Sequence, residues 1–393
     1  MSGGDSREGG GRVADGGPRS GSDEEGRMRI TVRFGSDAPS AYDVLVGAGI
    51  VEELPTLLSG LLEVDRIAVI SDSTVGPLHG ERVAAGLRAA RLRTDLFTFP
   101  AGEEQKTREW WSRLTDALLA EGFGRDGAVV AVGGGVVGDM AGFVAATYMR
   151  GIPVVQVPTS LVAMIDSAVG GKTGVDHPQG KNLIGAFHPP RLVLIDPVLI
   201  GTLPRPERSQ GLAEALKHGA IRDREYLFAL DSEADALLSG EVVAIERAVR
   251  RSVRIKADVV SRDERESGLR QILNFGHTLG HALEAATDYR LPHGSAVAVG
   301  MVLEARLGER LGITEAGAAE LISTSLQRLE LPTEMPVRVP PERVTHFLGA
   351  DKKVRGGRPG FVLLGRLGEV HPGEGWVHRV AEKDVALLLS EAL

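Results

Sequence analysis

The chain has 393 residues, a formal net charge of −8 and no cysteine, and 42% of its residues are hydrophobic. A chain of this length is too long for one small hydrophobic core, so two domains are predicted. The lack of cysteine excludes disulfides, thiolate metal sites and a cysteine nucleophile. The acidic balance argues against a nucleic-acid partner, because such domains are normally basic with a clustered patch.

The first 27 residues hold nine glycines and ten charged residues without an apolar run. No secretory signal is predicted, and 1–27 is expected to be a disordered tail because it cannot bury enough surface to offset its ordering entropy. The most membrane-like stretch, 128–148, contains five glycines and has Asp139 near its middle, which is costly in lipid. We therefore expect a buried strand, turn and helix there, and a cytoplasmic protein that meets no membrane.

Short apolar runs alternate with helical patterns up to about residue 203. An alternating segment at 28–34 predicts a half-buried strand, and helical patterns cover 75–91 and 107–121. Further strands are predicted from the apolar runs at 67–70, 96–99, 128–132, 154–157 and 192–195. Strands that alternate with helices favour a largely parallel sheet covered on both faces.

Beyond this point the sequence becomes mostly helical. Helical periodicity is present at 208–220, 224–238, 241–262, 271–287 and 295–312, and 360–370 is a candidate hairpin. The predicted fold class is α/β, with a Rossmann-like N-terminal domain at 28–203 and a mainly α-helical domain at 204–393. A ligand cleft is expected between them, since pockets favour domain interfaces and the carboxyl ends of strands.

A glycine-rich turn follows the predicted strand at 128–132. The sequence GGGVVG at 133–138 leads into a helical pattern, so its backbone N–H groups and the helix N-terminus could bind a diphosphate. The turn does not follow the first strand, and no acid lies about 20 residues beyond it for a ribose. A tight structural turn is the alternative. A polar segment at 101–107 is, taken alone, more typical of a solvated helix start.

Three histidines lie within 17 residues of one another. His277 and His281 share a helix face, Glu284 follows one turn later, and His293 lies just past that helix. This pattern indicates a divalent metal with nitrogen and oxygen ligands. The histidine ligands could be 277 with 281 or 277 with 293, and Glu214 is a candidate carboxylate. Helix histidines without a metal are the alternative.

Cations and amides recur in apolar or glycine-rich stretches of the middle of the chain. A charge in such a place is costly without a partner, so a gathering of these groups would suit a small, multiply anionic substrate. Taken alone, each of these residues is more typical of a solvent-exposed surface position. They are Arg150, Lys172, Lys181, Asn182, Lys217, Lys256, Arg270, Asn274 and Lys352.

Several blocks, in order over about 28–393, together resemble the 3-dehydroquinate synthase family. The resemblance is carried by GGGVVGDMAGF at 133–143, PTSLVAMIDS at 158–167, VGGKTG at 169–174, GKNLIGAF at 180–187, GLR at 268–270, LNFGHTLGHALE at 273–284 and DKK at 351–353. It implies an enzyme that depends on NAD and on Zn²⁺ or Co²⁺. Such an enzyme converts 3-deoxy-D-arabino-heptulosonate 7-phosphate into 3-dehydroquinate and phosphate by transient oxidation, phosphate elimination, re-reduction and an intramolecular aldol reaction.

The resemblance also implies a role for each matching residue. The implied metal ligands are Glu214, His277 and His293, so His281 becomes a substrate residue and Glu284 a structural one. The implied NAD residues are Asp72, Glu103, Lys106, Gly134, Gly135, Val136, Asp139, Thr159, Ser160, Lys172, Lys181 and Thr202. The implied catalytic and substrate residues are Arg150, Asp166, Lys172, Asn182, Lys217, Lys256, Arg270, Asn274, His281 and Lys352. The family also suggests a homodimer.

Three positions depart from the family pattern. Ser295 stands where Glu is usual, His218 where Tyr is common, and Asp176 where Asn is common. None removes an implied ligand. The competing interpretations are an aminodehydroquinate synthase or another sugar phosphate cyclase, a metal-dependent polyol dehydrogenase, and a binding protein without catalysis.

Overall fold

Strands and helices alternate up to residue 202, and helices dominate the chain from residue 205 onward. The computed structural model describes residues 19–22, 27–34, 41–350 and 359–392. The strands are β1 (Arg19–Ser22), β2 (Met28–Val32), β3 (Tyr42–Val46), β4 (Arg66–Asp72), β5 (Arg93–Phe99), β6 (Gly127–Gly133), β7 (Val154–Pro158), β8 (Lys172–His177), β9 (Gly180–Phe187), β10 (Leu192–Ile195), β11 (Gly360–Phe361), β12 (Leu364–Arg366), β13 (Glu369–Val370) and β14 (His378–Arg379).

Thirteen α-helices lie in the described part of the chain. They are α1 (Leu54–Leu61), α2 (Glu81–Ala89), α3 (Arg108–Ala120), α4 (Gly135–Thr147), α5 (Arg205–Arg222), α6 (Arg224–Ser232), α7 (Ala234–Ser239), α8 (Val242–Arg262), α9 (His277–Ala286), α10 (His293–Arg310), α11 (Ala318–Arg328), α12 (Pro341–Ala350) and α13 (Glu382–Ala392). Among these described residues, no helix combines the length and apolar character needed to cross a membrane.

One eight-stranded sheet organises the first half of the chain, in the order β1-β2-β3-β10-β7-β6-β4-β5. The six strands from β3 to β5 in that order run parallel, and β2 and β1 are antiparallel additions at one edge. Ile67 and Val69 of β4 contribute to a core on one face, whereas Ala68 and Ile70 pack with α3 and α4 on the other. This confirms the predicted parallel sheet covered on both faces.

The predicted strands are all present, with bounds shifted by a few residues. Three features of these strands differ from expectation. Strand β3, which lies between β2 and β10 in the sheet, was not predicted. Residues 19–22, within the segment expected to be a disordered tail, pair with β2. The antiparallel hairpin of β8 and β9 was not predicted, because its sequence is rich in glycine and polar residues and lacks a clear alternation.

The second half is mostly helical, as predicted. The pattern at 224–238 is interrupted at Glu233 into α6 and α7. The pattern at 271–287 divides into a 3₁₀ turn (Leu269–Asn274) and α9, because Gly276 takes a positive φ of 79° between them. Helix α10 is buried along most of its length and packs on α5, α9 and α11. Of the candidate hairpin, only β12 and β13 pair with each other, while β11 pairs with β14.

The chain order of the parallel strands fixes where a ligand can bind. From β4 the chain moves outward to β5, then returns to β6 on the other side of β4 and continues to β7 and β10. The crevice beside the carboxyl ends of β4 and β6 is therefore a topological switch point, which is the usual ligand position in open parallel sheets.

Candidate active site

The segments that follow the parallel strands hold most of the residues assigned to NAD. Asp72 ends β4, the 101–106 segment follows β5, the glycine turn follows β6, and Thr159 follows β7. Thr202 ends the 3₁₀ turn (Pro197–Thr202) after β10. Because parallel strands end at the same edge of a sheet, the fold brings these residues to one edge.

The glycine turn is closely packed. Gly134 caps α4, and a Cβ on Gly134 would lie 3.2 Å from Ser160 Oγ. A Cβ on Gly135 would lie 3.2 Å from Ser167 Oγ. The Thr159 N–H donates to the Gly133 carbonyl at 2.9 Å. The missing side chains and the helix N-terminus of α4 therefore offer backbone N–H groups to an anionic group, which fits the diphosphate of a dinucleotide.

A buried ion pair lies on the first turns of α4. Lys106 is only 3% exposed, and its Nζ donates to Asp139 Oδ2 at 2.6 Å and to Asn182 Oδ1 at 2.5 Å. Burial alone would lower the pKa of Lys106, but the charges of Asp139 and Glu103 raise it. The two contacts of Lys106 link it to Asp139 and Asn182, so three predicted site residues from separate segments meet here. Asn182 has a positive φ of 54°, a conformation that Asn tolerates well.

Asp72 and Thr202 have local roles in the fold as well. Asp72 accepts hydrogen bonds from the N–H groups of Thr74 and Val75, both at 2.8 Å. Thr202 Oγ1 shares a 2.7 Å hydrogen bond with Nε2 of the buried His79, a residue that the sequence did not single out. Val136 lies in the first turn of α4.

Three side chains from different helices form a compact set of metal-type donors. Glu214 Oε1 of α5 lies 3.5 Å from His277 Nε2 of α9 and 3.3 Å from His293 Nε2 of α10. One ligand atom from each of the three lies within 4.8 Å of the others. Two imidazole nitrogens and a carboxylate oxygen suit Zn²⁺ or Co²⁺. These residues therefore fit a divalent transition metal.

The electrostatics of this cluster favour an ionised carboxylate. Burial alone would raise the pKa of Glu214, but the charges of Lys217 and His277 hold it well below its usual range. Burial lowers the pKa of His277. Burial alone would also lower the pKa of His293, but its hydrogen bonds with Glu214 and Glu284 raise it to about 10, so a metal at this ring has to displace a proton. A neutral imidazole and a carboxylate are the protonation states that a metal requires of its ligands.

A second donor set shares His293 with the first. Atoms of His281, Glu284 and His293 also lie within 4.8 Å of one another. Glu284 Oε1 pairs with Lys181 Nζ at 3.1 Å, and its Oε2 lies 3.4 Å from His293 Nδ1. His281 is exposed, and its ring centroid lies 5.2 Å from that of His277.

Buried cations gather beside the metal-type donors. Lys217 pairs with Glu214 and is almost fully buried. Lys256 Nζ lies 2.8 Å from Asp166 Oδ1. Burial lowers the pKa of Lys256 to about 8 against the opposing charge of Asp166. Burial alone would raise the pKa of Asp166, but the charges of Lys256 and Lys217 hold it well below its usual range.

Further cations and amides extend this region. Glu266 bridges Lys172 and Asn274, accepting from Asn274 Nδ2 at 2.6 Å. The buried Arg270 donates to the carbonyls of Glu264 at 2.6 Å and Gly170 at 3.2 Å. The sequence did not indicate Glu266, because an acidic residue in a polar loop has no distinctive spacing.

One predicted residue is not joined to these clusters. Arg150 is exposed in the 3₁₀ turn after α4, and its side chain has no hydrogen-bond or ion-pair partner among the described residues. Lys352 lies outside the described residues.

Two of the three departures from the family pattern, Ser295 and Asp176, have local hydrogen-bond partners, whereas the ring nitrogens of His218 have none among the described residues. Ser295 Oγ accepts from Gln210 Nε2 at 2.9 Å, and its N–H donates to Gln210 Oε1 at 2.8 Å, so α10 is tied to α5. His218 is fully buried, with Nε2 3.7 Å from Asp166 Oδ1. Asp176 Oδ1 accepts the N–H of Asn182 at 2.7 Å.

The chain is similar to known proteins over most of its length. Family models described as the N-terminal and C-terminal parts of 3-dehydroquinate synthase match residues 96–210 and 211–354. The 3-dehydroquinate synthase of Symbiobacterium thermophilum is 49% identical over 331 residues, covering 84% of this chain and 92% of the relative.

Two solved structures of cyclases share the fold. One is 2-epi-5-epi-valiolone synthase from Streptomyces hygroscopicus subsp. jinggangensis with NAD⁺ and Zn²⁺ bound; it is 32% identical with a TM-score of 0.81 and covers 91% of this chain and 99% of its own. The other is a 2-deoxy-scyllo-inosose synthase complexed with carbaglucose-6-phosphate, NAD⁺ and Co²⁺. It is 26% identical with a TM-score of 0.85, covering 93% of this chain and 100% of its own.

Proposed function

This chain belongs to the 3-dehydroquinate synthase family, and from that premise we propose the residues with which it works. The family's reaction converts 3-deoxy-D-arabino-heptulosonate 7-phosphate into 3-dehydroquinate and phosphate in the shikimate pathway of aromatic biosynthesis. In reaction class we assign a carbon–oxygen lyase that eliminates phosphate. The observation that carries the site assignment is the convergence of Glu214, His277 and His293 beside buried lysines.

We assign Glu214, His277 and His293 as the ligands of a Zn²⁺ or Co²⁺ ion. Glu214 Oε1 faces Nε2 of both histidines, whereas the alternative set uses the exposed His281 and a carboxylate already paired with Lys181. When bound, a divalent ion polarises the hydroxyl oxygen that is oxidised. Lys217 neutralises part of the charge of Glu214 and so keeps this buried carboxylate in place.

We assign NAD to the carboxyl edge of the sheet. NAD supplies the hydride acceptor and donor for the transient oxidation, so it is not consumed. Gly134, Gly135 and Val136 begin α4, where backbone N–H groups and the helix dipole favour a diphosphate. The full proposed set is Asp72, Glu103, Lys106, Gly134, Gly135, Val136, Asp139, Thr159, Ser160, Lys172, Lys181 and Thr202.

We assign the remaining cations to the substrate, which carries a carboxylate and a phosphate. Asp166 holds the ammonium of Lys256, and two backbone carbonyls hold the guanidinium of Arg270. Both cations are therefore oriented before any anion binds. Such preorganised charge stabilises developing negative charge without reorganisation. The main task of these residues is to hold the substrate in one conformation through several reaction steps. The full set is Arg150, Asp166, Lys172, Asn182, Lys217, Lys256, Arg270, Asn274, His281 and Lys352.

We further propose a cytoplasmic homodimer without a nucleic-acid partner. The net charge of −8 supports the last point. The dimer follows from the family resemblance, and equilibrium sedimentation measures it.

Metal analysis of single variants tests the ligand assignment. Glu214→Gln and His277→Ala are expected to lose bound Zn²⁺ and turnover together, because each removes one of three donors. His281→Ala is expected to retain the metal and lose turnover. Glu207→Gln, an exposed position on the same helix α5, is the matched control. Loss of metal from His281→Ala with metal retained by His277→Ala would assign the ion to the second donor set instead.

A further inference from the structure

Glu284 is a buried carboxylate to which the reaction assigns no task. It lies on α9 seven residues after His277, and at 100° per residue this places both on one helix face. Its side chain is only 3% exposed. A buried carboxylate is costly unless it is paired, so its two partners define its role.

The two partners of Glu284 belong to different parts of the site. Oε1 pairs at 3.1 Å with Lys181, the second residue of strand β9. Oε2 lies 3.4 Å from Nδ1 of His293, while Nε2 of the same ring faces Glu214 at 3.3 Å. Glu284 is thus the common neighbour of a residue assigned to the nucleotide and a residue assigned to the metal.

The contact between Glu284 Oε2 and His293 Nδ1 places a carboxylate where it can hold a proton on Nδ1 when Nε2 binds a metal. A carboxylate accepts the Nδ1–H and leaves Nε2 with its lone pair free for a metal. Carboxylates of this kind orient the imidazole, and removing one typically weakens metal binding by about 10–100-fold. Lys181 in turn fixes the carboxylate, and the same ammonium lies 4.8 Å above the Tyr289 ring.

We propose that Glu284 is a positioning residue that orients His293 and couples metal binding to nucleotide binding through Lys181. This inference rests on the proposed function, which assigns Lys181 to NAD and His293 to the metal. The Lys181 ammonium also lies 3.8 Å from Glu103, another residue assigned to NAD, so the group that holds Glu284 belongs to the nucleotide site as well. A site already ordered by one ligand loses less entropy when the second binds, and such coupling is reciprocal.

Glu284→Gln separates the two contacts. Lys181 and His293 lie at different oxygens of Glu284, and glutamine has an acceptor oxygen at only one of these two positions, so it can keep only one of the two contacts. Binding of Co²⁺ to the metal-free full chain is measured by competition with a chelator, with and without saturating NAD⁺. We expect Co²⁺ binding to the variant to be at least about tenfold weaker, with an altered Co²⁺ absorption spectrum. In the wild type, NAD⁺ should tighten Co²⁺ binding at least about fivefold, and the variant should lose this effect.

Glu320→Gln on α11, an exposed position far from these contacts in sequence, controls for the lost charge and should match the wild type. If Glu284→Gln does not fold, Lys181→Gln replaces it and should abolish the effect of NAD⁺ on Co²⁺ affinity. Unchanged Co²⁺ affinity in Glu284→Gln, or unchanged coupling, would overturn the inference while Glu214→Gln still loses metal. Full Co²⁺ binding by Glu214→Gln would instead refute the proposed ligand set.

Discussion

Replacing Asp139 by Asn removes the charge that faces Lys106 and nearly preserves the shape of the side chain. Lys106 is 3% exposed, and its Nζ lies 2.6 Å from Asp139 Oδ2. In the variant the ammonium stays buried without its nearest carboxylate. We therefore expect Asp139→Asn to destabilise the metal-free, NAD-free protein substantially.

The magnitude follows from the surroundings of the pair. Breaking a buried ion pair by removing one partner typically costs about 3–5 kcal/mol. The Asp139 side chain is 21% exposed, and Asn182 Oδ1 still accepts from Lys106 at 2.5 Å. Both features reduce the penalty, so we expect the lower end of that range, about 3 kcal/mol in the free energy of unfolding.

Urea denaturation followed by circular dichroism measures this cost, and Lys106→Met completes a double-mutant cycle. Lys106→Met leaves a carboxylate that water can partly solvate, so it should cost less than Asp139→Asn. The double variant should be less destabilised than the sum of the single ones by about 2 kcal/mol. A coupling energy near zero would show that the two charges do not interact as described, and a nearly neutral Asp139→Asn would refute the reasoning outright.

Three further predictions concern packing, helix contacts and pH. Gly300→Ala should lower the free energy of unfolding by at least about 1–3 kcal/mol, because its Cβ would lie 2.0 Å from the Gly276 carbonyl oxygen; Gly201→Ala, with open space around it, should be neutral in the same urea titration. Gln210→Ala removes two hydrogen bonds to Ser295 and should cost about twice as much as Ser295→Ala, which removes one at about 1 kcal/mol; equal costs would contradict this. Because burial lowers the pKa of Lys256 to about 8, its charge is lost above that pH, and KM for the phosphorylated substrate should rise there. Lys256→Arg should abolish this rise in KM. An unchanged KM from pH 7 to 9 in the wild type would contradict the assignment.

The sequence predicted the parallel sheet because its strands are nearly continuous apolar runs. Residues 67–70 and 128–132 are buried on both faces of the sheet, and such strands need no alternation to be recognised. The hairpin of β8 and β9 was missed because it carries polar residues such as Lys181 and Asn182 that face the site. Polar residues in these strands hide the alternation by which a strand is normally identified.

Part of the candidate site could also be predicted from a local sequence pattern. The spacing of His277 and His281 indicated a metal, yet it left the histidine pair undecided, because one helix face cannot show which distant carboxylate it meets. Only the packing of α5 against α10 brings Glu214 within 3.3 Å of His293. The contacts of Glu284 could likewise not be predicted, since its partners lie 103 and 9 residues away in the chain.

The central claim is tested most directly by following all products of one reaction. Purified protein is incubated with 3-deoxy-D-arabino-heptulosonate 7-phosphate, a catalytic amount of NAD⁺ and Zn²⁺ or Co²⁺, while phosphate, 3-dehydroquinate and NADH are measured together. The account predicts phosphate and 3-dehydroquinate in equal amounts, no net NADH, and loss of both products on chelation. Accumulation of NADH in step with substrate consumption, or no turnover of this substrate by protein with bound metal and NAD, would contradict it.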